Sequence, residues 1–135
     1  MGLTPKKTKF RKSQRRRLRG KASRGNTLVF GEFGLQILEI GYLKTNQIEA
    51  GRKALTHCMK RGGKVWVRGC ADKPVTARAA ETRMGGGKGA PIGYALPVKP
   101  GHILYEVTGV TYEAAVEAFR LAAFKLPFAV RVVRK

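Results

Sequence analysis

The stretch TNQIEAGRKALTHCMKRGGKVWVR, Thr45 to Arg68, decides the fold, because the period of its apolar residues changes once along its length. In its first part Ile48, Leu55 and Met59 fall at i, i+7 and i+11, the spacing of one helix face. Thr45 offers an N-cap, Glu49 sits where a carboxylate complements the helix dipole, and Gly62-Gly63 ends the element behind Lys60 and Arg61. The expected helix is about 16 residues long. Arg52, Lys53 and Lys60 lie off the apolar stripe, free for solvent or phosphate. From Lys64 to Arg68 the period becomes two, with Val65 and Val67 on one face and Lys64, Trp66 and Arg68 on the other, a half-buried strand. Trp66 either covers the sheet or core with its ring or offers that ring to a nucleic-acid base.

Upstream, Leu28 to Leu35 reads as extended, with Phe30 near its centre and glycines that suggest a bulge or bend, and Gln36 to Leu43 continues extended. Downstream, Asp72-Lys73-Pro74 marks a turn, residues 77–84 fit no period, and Gly85-Gly86-Gly87-Lys88-Gly89-Ala90-Pro91 is irregular. Tyr94 to Val98 and His102 to Val107 read as a hairpin about Lys99-Pro100-Gly101. A second helix opens near Thr111 with Glu113 in its first turn, places Ala115, Phe119, Ala122 and Leu126 on one stripe, and stops at Pro127. Phe128 to Val133 forms a last strand. The order predicts an α+β fold, two helices packed on a mostly antiparallel or mixed sheet, without internal repeats. The single domain spans residues 26–135, about 110 residues, enough to bury roughly two-thirds of its unfolded surface.

The first 25 residues hold eleven cations and no acid: Lys6, Lys7, Lys9, Arg11, Lys12, Arg15, Arg16, Arg17, Arg19, Lys21 and Arg24. Such a run repels itself, and Met1, Leu3, Phe10 and Leu18 are too few apolar residues to fold it, so order in this arm needs a polyanion. Fully extended it reaches about 80 Å, at roughly 3.3 Å per residue, far enough to thread between nucleic-acid helices. The body adds seventeen Lys and Arg against eight Asp and Glu, which brings the net charge to +20. Charge of this size concerns partners rather than fold, and a phosphate backbone is the partner that rewards it by releasing counterions. Arg61, Lys64 and Arg68 join Arg52, Lys53 and Lys60 as body candidates for such contacts.

Cys58 and Cys70 match neither a disulfide framework nor a zinc pattern, which fits a reducing compartment. No stretch reaches the roughly 18 apolar residues of a membrane span, and the N-terminus lacks an apolar signal core. A transit peptide would also be Arg-rich and acid-poor, but the segment from Met1 is expected to be retained. Catalysis is not expected: His57, His102 and the scattered acids match no catalytic or metal-ligand spacing, and each His is expected to be structural or phosphate-facing. The glycine-rich loop fails as a Walker A motif because Gly89 follows Lys88. Gly85-x-Gly87-x-x-Ala90 is only the loosest dinucleotide fingerprint and is followed by a poor helix. Gly86-x-x-Gly89 resembles a KH-type clamp, but Pro97 and Pro100 break the helix that clamp requires downstream. What remains, over residues 83–91, is a flexible loop flanked by Arg78, Arg83 and Lys88 whose backbone can approach a phosphate.

PKKTKFRK from Pro5, FGEFGLQ from Phe30, TNQIEAGRKALT from Thr45, RGGKVWVR from Arg61, DKPVT from Asp72, ETRMGGGKG from Glu81, VKPGHILYEVTGV from Val98 and AFRLAAFKLP from Ala118 occur in one order along nearly the whole chain. In that order they resemble the bacterial-type large-subunit ribosomal protein sixteen family. The resemblance implies a hammerhead-type α+β domain with a basic N-terminal extension, bound to large-subunit ribosomal RNA near the central protuberance. It further implies neighbouring ribosomal proteins, and transfer RNA in the aminoacyl site, close to a loop in which Arg83, Met84, Gly86 and Lys88 point toward the peptidyl-transferase region. Ribosomal RNA does the chemistry there. In some members the arginine matching Arg83 is hydroxylated. Neither cofactor, metal, membrane nor small-molecule substrate is expected. The alternative is a free RNA-binding or ribosome-assembly factor. The compartment is a bacterial cytoplasm or a mitochondrial or plastid interior. Two stretches depart from the family pattern, Gly69-Cys70-Ala71 and Ile92 to Pro97, and Pro97, which lacks a ladder donor, is expected to alter the strand there.

Overall fold

A computed structural model describes residues 2–135; Met1, counted above among the few apolar residues of the arm, lies outside them. In chain order the elements are β1 (Phe33–Ile37), β2 (Gly41–Lys44), α1 (Thr45–Cys58), β3 (Lys64–Val67), β4 (Lys73–Ala77), β5 (Ala90–Val98), β6 (Ile103–Thr108), α2 (Tyr112–Ala123) and β7 (Val130–Arg134). Two sheets result, one of four strands in the order β3-β6-β1-β7 and one of three in the order β2-β5-β4. Every strand pair is antiparallel, so the α+β expectation holds with two sheets in place of one.

The two helices pack on each other, α1 against β2, β3 and β5 and α2 against β1 and β7, so α1 bridges the sheets. The α1 stripe is buried as its spacing requires, with Ile48, Leu55 and Met59 in the core beside Leu35, Ile37, Tyr105 and Phe119. Gly51 is buried too and has no room for a side chain, because a Cβ there would collide with the Tyr105 hydroxyl, which donates to the Ile48 carbonyl at 2.7 Å. Burial pushes the Tyr105 phenol well above its ordinary value, so it stays a donor. In α2, Ala115, Phe119 and Ala122 are buried and Leu126 packs partly against them, while the Thr111 hydroxyl caps the Ala114 amide.

Several local expectations give way to longer-range forces. The first helix has 14 residues, begins after Lys44 rather than Thr45, and takes its cap from Gln47, whose side-chain oxygen accepts the Lys44 amide at 2.9 Å. Glu49 therefore falls beyond the first turn. The helix ends at Cys58, ahead of the glycines, by turning Lys60 and Arg61 into the left-handed region at φ 49° and 62°. Asp72-Lys73-Pro74 is not a turn, since Lys73 and Pro74 open β4, an edge strand where a missing N–H is tolerated. The run to Val98 and the run from His102 are not a hairpin: β5 pairs with β2 and β4, and β6 pairs with β1 and β3. Lys99-Pro100-Gly101 instead carries the chain from one sheet to the other, with the Gly101 amide donating to the Ile37 carbonyl at 2.7 Å.

β5 also starts earlier than expected, at Ala90, and takes up Pro91 from the supposed irregular run. It tolerates Pro91 and Pro97 because β4 pairs its first part and β2 its last, overlapping only at Ala95. Each proline thus has a neighbour on one side only and can turn its imide to the open side. Residues 28–32 are not strand but a loop, residues 38–40 interrupt the second extended run, and β7 begins two residues after Phe128.

Candidate nucleic-acid interface

All eleven arm cations are exposed. The arm does not project from the body but lies along it without regular structure, held largely through its own backbone. The Leu3 carbonyl accepts the Ala71 amide at 2.8 Å, the Tyr42 hydroxyl donates to the Arg16 carbonyl at 3.0 Å, and the Ala22 amide donates to the Pro100 carbonyl at 2.9 Å. Bonds of this kind leave the guanidinium and ammonium groups outward. The arm thereby adds a cationic strip beside the three-stranded sheet.

The body candidates divide. Lys53, Lys60, Arg61 and Lys64 are exposed, and among the described residues none is ion-paired. Arg52 is not free: its guanidinium makes two bonds to Glu49, at 2.6 and 2.9 Å, which raise its pKa and lower that of Glu49. Arg68 is further from free. Its side chain is 17% exposed and ion-paired with the fully buried Glu106. Neither position presents an unmatched charge to a phosphate.

Glu106 was legible in the sequence only as an acid inside an apolar strand, yet it organises this face. Its carboxylate accepts the amides of Phe30 at 2.6 Å, Gly31 at 2.8 Å and Val29 at 3.2 Å, besides the Arg68 guanidinium. Burial by itself would raise the Glu106 pKa, but the three amides and Arg68 outweigh it and hold the carboxyl below its ordinary value. His102 is pushed the other way from charge, down, by burial and by Arg68, and its Nε2 is buried without a partner. It is half-buried against Gly25 where the arm enters the body, whereas His57 is exposed.

The glycine-rich segment belongs to the connection between β4 and β5, residues 78–89, anchored where Ala77 pairs with Ala90. From 83 to 88 every residue is exposed, Met84 at 88%, and a side chain added at Gly85, Gly86 or Gly87 would meet nothing within 4 Å. All three have positive φ, between 74° and 104°, so glycine is required by conformation and not by packing. Arg83 has no bond to the rest of the chain among the described residues. Lys88 does: its ammonium donates to the Ser13 carbonyl, and its own carbonyl accepts the Lys12 ammonium at 2.7 Å. The arm is thus tied to the base of the loop. Between them and the small sheet lies a cleft of about 480 Å³ lined by Arg15, Lys44, Lys73 and Lys88 beside Tyr42, with no acid in its lining.

Fold and surface together define a class, a small α+β protein whose outstanding surface feature is positive charge on an arm, a helix end and one long loop. Among the described residues no cluster of His, Cys, Asp and Glu is placed to hold a metal ion, and no helix is long and apolar enough to cross a membrane. The chain belongs to the family of ribosomal protein L16p/L10e, whose model matches residues 5–133. It is 54% identical over 133 residues to the large ribosomal subunit protein uL16c of Gracilaria tenuistipitata, covering 98% of each chain. Over 131 residues it is 56% identical to the large ribosomal subunit protein uL16 of Trichodesmium erythraeum (strain IMS101), covering 97% of this chain and 96% of that one. The uL16c of Porphyra purpurea is 53% identical over 131 residues, with 97% and 94% covered. This is a family of ribosomal proteins, not of enzymes.

Proposed function

We propose that the chain is a structural constituent of the large ribosomal subunit, in a bacterial or organellar interior, that binds large-subunit ribosomal RNA and helps position transfer RNA in the aminoacyl site. The arm and the exposed cations Lys53, Lys60, Arg61 and Lys64 hold ribosomal RNA, and residues 83–88 meet transfer RNA. One observation carries the last assignment. The loop is exposed, its glycines at 85–87 have nothing within 4 Å of an added side chain, and it presents Arg83 as an unmatched planar fork suited to phosphate or base contacts. Glycine-rich backbone costs entropy to order and buries almost nothing, so the fold gains no stability from it.

Co-sedimentation with large subunits through high-salt washing tests the first claim. A constituent held by many contacts stays with the particle, whereas a transient factor held by surface charge is stripped. Neutralising Lys53 in the free chain should lower the salt slope of RNA binding by about 1. Arg52, matched by Glu49, should change it less.

A further inference from the structure

We infer that Phe30 and Trp66 form a stacking platform for one unpaired RNA base, on the face of the four-stranded sheet that Glu106 organises; the inference rests on the RNA-binding reading above. The two rings lie stacked, centroids 6.0 Å apart and planes inclined by 21°. Phe30 is 56% exposed although it sits in the middle of an ordered segment. A cation flanks each ring: the Lys64 ammonium lies 5.4 Å from the Trp66 centroid and the Arg68 guanidinium 5.2 Å from that of Phe30.

An exposed phenylalanine alone means little. Here its position is enforced from beneath. The Glu106 carboxylate accepts the Phe30 amide and those on either side of it, and it also binds the guanidinium that lies over the Phe30 ring. One buried charge therefore fixes both the backbone that carries the ring and the cation beside it. Such preorganisation lowers the entropy lost on binding. The chemistry selects the occupant. An aromatic pair with the exposed, unpaired Lys64 beside it suits a nucleotide, whose base stacks on a ring while its phosphate meets the Lys64 ammonium, and every base has a face to stack. A base inside a duplex has both faces covered by its stacked neighbours.

Trp66 is the single tryptophan of the chain, so its emission reports on the platform directly. The full chain is titrated with a single-stranded oligouridylate, with a fully paired RNA duplex and with heparin, a polyanion without bases. The expected result is that the single strand quenches Trp66 and heparin does not, although both bind. Phe30→Ala should weaken the single strand about tenfold and leave heparin unchanged, and Phe30→Tyr should restore binding. A single strand that binds without changing Trp66 emission, or quenching by heparin and duplex equal to that by the single strand, overturns the platform and leaves the RNA-binding reading standing. No binding of the single strand at all overturns both. In assembled subunits, a photo-reactive benzoylphenylalanine at position 30 should crosslink to RNA, and a crosslink to protein alone contradicts the assignment.

Discussion

The surroundings of Glu106 and the loop at residues 83–88 are opposite uses of charge in one small protein. Glu106 is fully buried, with three amides and a guanidinium on its carboxylate, and it ties the entry of the arm to β6. Arg83 is exposed, on a loop whose glycines touch nothing. The contrast shows that structural and recognition roles are carried by different charges: those matched inside the chain hold it together, and those left unmatched are available to a partner. Counting cations does not reveal which is which.

The contrast breaks most readily at Glu106. Glu106→Gln should cost about 3 kcal/mol in denaturant unfolding, because it removes the partner of a mostly buried guanidinium and weakens three amide bonds. A loss below about 1 kcal/mol, no more than an ordinary surface pair contributes, would place Glu106 among the dispensable charges. Acid probes the same network. The folded Glu106 pKa lies below its ordinary value of 4.5, so its stabilisation is complete above that pH and is lost as pH falls through the lower folded value. The wild type should therefore lose stability on acidification more steeply than Glu106→Gln, and parallel pH profiles would contradict the depressed pKa.

Arg61 sharpens the comparison because it is exposed, unpaired and held at φ 62°. Arg61→Gly should stabilise the free chain by about 1 kcal/mol, by relieving the left-handed strain, while weakening ribosomal RNA binding. Stability and binding would then move in opposite directions at one residue. A destabilised Arg61→Gly would show that the turn depends on its side chain. The smallest effect is expected at the loop, where Arg83→Ala should leave stability within about 0.5 kcal/mol by thermal melting. Lys88→Ala should do the same for the body but release the arm, seen as faster proteolysis between residues 10 and 20.

The difference in roles explains what could be read from the chain. The α1 stripe was legible because Ile48, Leu55 and Met59 announce their face by spacing alone, and the loop was legible because a run of glycines is irregular in any setting. The division into two sheets was not. Lys99-Pro100-Gly101 has the chemistry of a hairpin turn, and only long-range pairing, with Gly101 bonded to Ile37 of β1 and β6 paired with β1, shows that it links sheets. The role of Glu106 and its pairing with Arg68 were not legible, for the same reason: the amide that Gly31 gives the carboxylate comes from 75 residues away, and a sequence displays charges without their partners. Pro97 was rightly singled out as lacking a ladder donor, but the staggered pairing that accommodates it belongs to three strands at once.

The most direct test of the account uses large subunits assembled with the Arg83→Ala chain. The variant should incorporate at wild-type level, since nothing in the fold leans on Arg83, and the ribosomes should accommodate aminoacyl transfer RNA more slowly in a single-turnover measurement. Accommodation at the wild-type rate, or failure of the variant to enter the subunit, would contradict the separation of holding from recognition on which the assignment of the loop depends.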